Sequence, residues 1–340
     1  MRILHLLASP AYSGPAENVA FLAQAQRELG HAVTIAVDRK RPGPPNEEPI
    51  VPRLQALGLL DEGGLELSVK STPRGLWRDA RALRRRPVDV VHAHFTHDHL
   101  LARWARPKRT VLVRSLHAPR SLRWSLPAAD GYTVPTGELA HRLSGRRVQV
   151  LGPLLDPAFR PVADRPAQQR ALGVEARPLI GMVSNLQPSR RHLLGLEAFS
   201  RLLREQPGAR LALIGEGPLE AELRARSSAA DLQGRVHFAG YQEGPAFVRW
   251  LQALDEVWVL GLGNDWSGRA AAQARACGVR VVAVREGALE QFADALVEES
   301  EPDAVVRASL GGARRAGEGI DNRVVAAEVL ALYAAAGAPR

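Results

Sequence analysis

The stretch Leu251–Glu290, LQALDEVWVLGLGNDWSGRAAAQARACGVRVVAVREGALE, decides the fold class of this chain. Residues 256–260 (EVWVL) form a short, largely apolar run, read as a buried strand. The Gly-rich turn GLGNDWSG follows, and Ala270–Cys277 reads as a helix stopped by Gly278. A second apolar run, Val279–Val284, completes a strand–turn–helix–strand unit. Such a unit predicts a parallel sheet. Its turn offers free backbone N–H groups at a helix N-terminus to an anion or a ribose. Asp265 lies ahead of the helix and Gln273 eight positions on, inside it.

The same alternation of short apolar runs and amphipathic segments extends in both directions, the pattern of α/β units. Toward the C-terminal half, Leu179–Val183, Arg210–Ile214, Arg235–Ala239, Glu256–Leu260 and Val279–Val284 read as parallel strands. Toward the start, Ile3–Leu7, Ala32–Val37, Leu65–Val69, Val88–His92, Thr110–Ser115, Gly131–Val134 and Val148–Leu151 read as strands, with a helix over Ala16–Leu29 ended by Gly30. Residues 38–48 (DRKRPGPPNEE) are polar and Pro-rich, a surface loop. Gly152-Pro153, Pro157, Pro161 and Pro166 mark a linker. The expected architecture is two Rossmann-like, doubly wound α/β domains facing a cleft, over residues 1–160 and 161–325. A final helix over residues 326–340 is expected to pack back on the first domain.

At 340 residues, with 46% hydrophobic and 24% charged residues, the chain can build two cores and is not of disordered composition. The single Cys277 excludes an internal disulfide framework and a cysteine-built zinc site, which fits a reducing compartment. The apolar run in MRILHLLASP is too short for a signal peptide, and no stretch has the length of a transmembrane helix, so a cytoplasmic protein is expected. The net charge of +9 comes from arginine, with lysine only at 40, 70 and 108. A basic surface suits phosphorylated ligands or the inner face of an anionic membrane. No zinc-finger, recognition-helix or RNA-binding signature accompanies it, so nucleic acid is not an expected partner. The segment RGLWRDARALRRRP, residues 74–87, has a basic helical face that is either solvated or rests on anionic lipid.

Several constellations carry candidate chemistry. The turn SGPAEN, from Ser13, leads into the first helix with Gly14 and Glu17; Pro15 removes one N–H donor there but suits a first helical residue. The run DVVHAHFTHDH, Asp89–His99, places His92 and His94 on one strand face with His97 and His99 in the following loop. The four histidines invite a metal, since zinc wants three or four ligands of defined geometry. His117, in RSLHAP, follows a predicted strand. In MVSNLQPSRRHLLGLEAF, Asn185, Arg190 and Arg191 occupy a strand–turn–helix junction. LALIGEGPLEAEL repeats that arrangement with Gly215 and Gly217, and RVHFAGY follows as a strand. Gly287-Ala-Leu-Glu290 is another turn.

Collinear over nearly the whole chain, these motifs resemble the retaining glycosyltransferases of the GT-B type, the large family that includes sucrose and mannosyl transferases. GEGP and RVHFAGY are the most specific matches. The family carries two glutamates where Asp265 and Gln273 stand, and the element Gly-Arg-Leu-x-Pro-x-Lys-Gly where Asn185, Arg190 and Arg191 stand. It has two glycines, Ala and Glu at Gly14–Glu17, Thr-x-His-Gly at His117, and Gly-Gly-x-Pro-Glu at Gly287–Glu290. The resemblance implies transfer of a sugar from a nucleotide-diphosphate donor with retention of configuration. No metal or cofactor is needed, and the leaving phosphate receives the acceptor proton on the same face. By the same resemblance Arg190 stabilises the diphosphate, Gln273 holds the ribose, and Asp265 and Glu290 hold the sugar. His117 and the Gly14 loop line the cleft. No motif names the acceptor, for which a lipid-linked molecule or a polysaccharide is a candidate.

The departures have unequal weight. A neutral hydrogen bond from Gln273 in place of a charged one costs about tenfold in affinity. Asn185 in place of arginine removes a cation where leaving-group charge develops, a loss of about 10²–10³ in rate unless Arg191 replaces it. Pro15, Asn185 and Gln273 together also motivate a second reading, a lapsed relative that binds a ligand or partner protein without transferring sugar.

Overall fold

The computed structural model describes residues 1–44, 48–117, 121–122, 128–262, 268–298, 301–311 and 321–339. It divides into two units: Met1–Leu155 with Asp321–Arg340, and Asp156–Ile320. The division falls at Leu155 rather than at residue 160, and the chain returns to the first unit at Asp321.

In chain order the first unit contains β1 (Arg2–Leu7), α1 (Gly14–Glu28), β2 (Ala32–Val37), α2 (Ile50–Ala56), α3 (Pro73–Arg84), β3 (Val90–Ala93) and α4 (Thr96–Ala105). β4 (Val111–Ser115), β5 (Gly131–Val134), α5 (Gly137–His141) and β6 (Val148–Val150) follow. The second unit contains α6 (Arg165–Ala171), β7 (Leu179–Val183), α7 (His192–Leu202), β8 (Arg210–Ile214), α8 (Glu220–Ser227), β9 (Val236–Gly240) and α9 (Gly244–Ala253). It continues through β10 (Glu256–Val259), α10 (Arg269–Ala276), β11 (Arg280–Val284), α11 (Leu289–Phe292), β12 (Ala295–Val297) and α12 (Pro302–Leu310). The last helix, α13 (Asn322–Ala335), belongs to the first unit, where it packs on α1.

The first sheet runs β2-β1-β3-β4-β5-β6 and the second β12-β11-β10-β7-β8-β9, with every strand pair parallel. Each order reverses direction once, between β1 and β3 in the first unit and between β7 and β10 in the second. These are the switch points, where the crevice outside the strand C-termini receives ligands in open α/β sheets. Period-two alternation sorts the first sheet's side chains. Ile3 and Leu7 of β1, Val90 of β3 and Val113 of β4 join the core under α1 and α13, while Leu4, Leu6, Val91 and Leu112 join the core under α3 and α4.

Two strand expectations differ from the structure. Leu65–Val69 is not a strand. The buried Asp79 of α3 accepts from the N–H groups of Glu66 and Leu67, at 3.2 and 3.1 Å, and Leu67 sits at φ 48, so that segment's donors turn to a side chain instead of a neighbouring strand. Conversely, Ala295–Val297 adds an edge strand on β11 that was not expected. His97 and His99 also correct the reading of a loop: they lie in the first turn of α4, which starts where Asp98 Oδ2 accepts from the Phe95 N–H at 2.9 Å.

Candidate functional site

In the second unit, the turn after β7 is fitted against the turn after β8. Ser184 N–H donates to Ile214 O at 3.2 Å and Leu186 N–H to Glu216 O at 2.9 Å. A Cβ on Gly215 would stand 2.1 Å from Ser184 O, and one on Gly217 2.6 Å from Leu186 O. Gly215 also has φ 145, so both glycines are required by backbone approach. Beyond them the chain makes a short 3₁₀ turn over Pro188–Arg190 and enters α7 through Arg191, at φ 57 in the left-handed region. That conformation suits the glycine that the resembling glycosyltransferases carry there.

The turn aims Arg190 at the β7–β10 switch point. Arg190 Nε donates to Asn185 Oδ1 at 3.2 Å. The Leu262 N–H, beyond β10, donates to Ser189 O at 3.0 Å, and a Cβ on Gly261 would lie 3.2 Å from Arg190 Cδ. Asn185 therefore orients the cation instead of supplying a second one, and Gly261 leaves room for its stem. His192 supports the same turn from inside, its Nε2 3.3 Å from Ser184 Oγ. Desolvation and the nearby Arg190 charge push its pKa down to about 4, so it is neutral.

Gln273, Gly287 and Glu290 form a second group, around α10 and α11. Gln273 is buried on α10. That helix starts at Gly268, with φ 57, where a Cβ would meet the Phe292 ring at 2.9 Å. Gly287 has φ 54 in the turn before α11. Glu290 is exposed and ion-paired with Arg285, which also pairs with Glu298 at 3.0 Å. Asp265 lies outside the described residues.

In the first unit, α1 begins at Gly14 with Pro15 in its first turn, and the Glu17 N–H donates to Ser13 O at 2.9 Å. His117 joins a run of imidazoles at the β1–β3 switch point. Ring centroids are 5.7 Å apart for His117 and His94, 4.5 Å for His94 and His92, and 5.1 Å for His92 and His5. The register that pairs His5 with His92 across β1 and β3 brings these rings together.

The hydrogen bonds around these rings have a single direction. Gln26 Nε2 donates to the Tyr333 hydroxyl at 3.2 Å, so Gln26 Oε1, 2.9 Å from His5 Nε2, accepts from that ring. His5 Nδ1 is then an acceptor, and His94 Nε2, at 3.0 Å, donates to it. The Tyr333 hydroxyl in turn donates to His92 Nδ1 at 2.6 Å, and His92 Nε2 donates to Ser115 Oγ at 2.8 Å. Ser115 Oγ lies 2.6 Å from Thr133 Oγ1. Each ring keeps one proton. Burial agrees with this: desolvation pushes His5 and His117 down to about 4 and His92 and His94 well below the ordinary histidine value.

His5, His92 and His94 hold ligand atoms within 4.8 Å of one another, the spacing of a metal cluster. Their lone pairs are nevertheless spent in the chain of hydrogen bonds, leaving only His94 Nδ1 without a partner. The donor set therefore fits a polar core better than a metal ion. Sequence reasoning missed His5, Gln26 and Tyr333. A lone histidine inside the apolar strand RILHLL was the available signal; nothing local marks Tyr333.

The chain matches two family models: "Glycosyltransferase Family 4" over residues 12–159 and "Glycosyl transferases group 1" over residues 177–311. It is 27% identical over 311 residues to a D-inositol 3-phosphate glycosyltransferase of Kribbella flavida, covering 77% of this chain and 72% of that protein. It is 32% identical over 139 residues to a 2-deoxystreptamine N-acetyl-D-glucosaminyltransferase of Streptomyces fradiae, covering 38% of this chain and 32% of the relative. Among solved structures, HepE of Anabaena in complex with UDP superposes with a TM-score of 0.69 at 17% identity, over 98% of this chain and 95% of that one. That likeness establishes the fold. With both of its halves accounted for by models of one enzyme group, the chain belongs to the group 1 glycosyltransferases of the GT-B fold.

Proposed function

We propose that the protein transfers a sugar from a nucleotide-diphosphate donor to a hydroxyl acceptor, with retention of configuration and without a metal ion. The observation that carries this reading is Arg190, oriented by Asn185 and seated against Gly261 at the second unit's switch point. A guanidinium offers forked donors to two phosphate oxygens, and the charge developing on a leaving diphosphate is what such a donor stabilises. A fixed cation there does the work that a divalent ion does elsewhere. Gln273 holds the ribose hydroxyls, and Asp265 and Glu290 the sugar. The leaving phosphate oxygen takes the acceptor proton. His117, kept neutral by desolvation, can exchange hydrogen bonds with a hydroxyl without introducing charge.

The Anabaena structure is a complex with UDP, which makes UDP the first nucleotide to titrate. The relatives' names direct the acceptor screen to ring polyols such as inositol phosphates and 2-deoxystreptamine before lipid-linked sugars and polysaccharides. Calorimetric titration with UDP, GDP and ADP, without and with magnesium, is the test. One nucleotide should bind without magnesium, and Arg190→Ala should lower transfer by about 10²–10³. Unchanged turnover in that variant refutes the assignment of Arg190, and binding only with magnesium refutes the metal-free reading.

A further inference from the structure

α3 and α4 pack side by side on one face of the first sheet and turn an unusual surface outward. Trp77, Arg81 and Arg84 follow helical spacing along α3, and Leu100, Arg103 and Trp104 along α4. Trp77 and Trp104 are each 58% exposed and Leu100 is 52% exposed. The Arg81 guanidinium lies 5.4 Å from the centre of the Trp77 ring, and that of Arg84 5.3 Å from Trp104. Arg84 also crosses between the helices, its Nη2 donating to Trp104 O at 3.3 Å. The only carboxylates on the two helices, Asp79 and Asp98, are buried and bonded to backbone N–H groups. Among the described residues Arg81, Arg84 and Arg103 have no ion-pair partner.

We infer that this α3–α4 face docks on an anionic lipid surface, with the two indoles and Leu100 at headgroup depth and the arginines on lipid phosphates. Three observations choose this occupant. The face is cationic without exposed acid, which complements a negative leaflet. Its apolar bodies are indoles carrying an N–H, the side chain favoured at the membrane–water boundary. One face of each indole is already covered by the chain's own guanidinium, which leaves the surface poorly suited to stacking nucleic-acid bases. No described helix is long and apolar enough to cross a membrane, so the contact is peripheral. The inference does not depend on the transfer reaction, because vesicle binding is read without a donor or an acceptor.

The test is flotation of the full chain with vesicles of phosphatidylcholine alone or mixed equally with phosphatidylglycerol, over a series of salt concentrations. Binding is expected to the mixed vesicles only and to weaken as salt rises. Arg81→Glu with Arg84→Glu should lower the partition coefficient at least about tenfold. Trp77→Ser with Trp104→Ser should lower it by about the same factor while keeping the salt dependence. Arg81→Gln with Arg84→Gln stands in should charge reversal prevent folding, and UDP titration gives an independent check of each variant's second unit. Equal binding to neutral vesicles, or both double variants binding like the parent, overturns the proposal. So does retention on single-stranded DNA that is as tight as on the mixed vesicles, since the face would then be a general polyanion site.

Discussion

Acidification should unfold the first unit from its centre, and His5 sets the scale. Its ring is fully buried, donates to Gln26 and accepts from His94. A second proton has to go on Nδ1, where it would face the His94 N–H. The folded pKa is about 4 against the ordinary 6.5. Because the folded value is the lower one, the unfolded chain binds the proton more tightly. Stability is therefore intact above the unfolded value and is lost as pH falls from about 6.5 through 4. At ~1.4 kcal/mol per pKa unit, His5 alone removes about 2 kcal/mol by pH 5 and about 3 kcal/mol when the loss is complete. His92, His94 and His117 shift in the same direction and add to the loss. Asp98 opposes it: burial raises its pKa to about 7, so the folded state holds that proton more tightly and gains as pH falls. The assay is hydrogen exchange of β1 and β3 peptides in the full chain, corrected for intrinsic rate, at about pH 7, 6 and 5. His5→Gln keeps a donor and an acceptor but does not titrate, and should flatten the pH slope by about one proton. Identical slopes for parent and variant would refute the reasoning.

Three further outcomes are expected. Gly215→Ala should cost about 2–4 kcal/mol, because its Cβ cannot share space with Ser184 O, and should weaken UDP binding; a urea midpoint and a titration check both. Arg280→Met should cost about 3–5 kcal/mol in chemical denaturation, since Arg280 pairs with the buried Glu256 and donates to Ala308 O at 2.8 Å; adding Glu256→Gln should recover part of the loss. Tyr333→Phe should cost about 1–3 kcal/mol, as His92 loses its donor and Gln26 its acceptor; a change within error would show that water replaces the hydroxyl.

The fold was legible wherever burial dictates composition. β1, β7, β8 and β11 are apolar because parallel strands are covered on both faces, and the glycines of GEGP are fixed by backbone approach within a few residues of each other in space. Leu65–Val69 was misread because its period matches a strand and only Asp79, twelve or thirteen residues on, redirects its N–H groups. Ala295–Val297 is too short to stand out from its helix-rich flanks. At the candidate site, the resemblance singled out Arg190 but not its bond to Asn185, which depends on the 3₁₀ turn folding Arg190 back toward it. The histidines of Asp89–His99 invited a metal because their partners, His5, Gln26 and Tyr333, come from positions 5 to 333 and no local pattern announces them.

The return of α13 to the first unit sets an order of assembly during synthesis. Asp156–Ile320 is a continuous segment and can close its sheet as soon as it has left the ribosome. The first unit cannot, although its strands are made earlier. Until residues 321–335 emerge, the apolar surface of α1 and the polar chain through His92 and Gln26 wait for Val325, Val329 and Tyr333. The half made first is therefore finished last, and a chain stalled before Tyr333 would present a completed second unit beside an open first one.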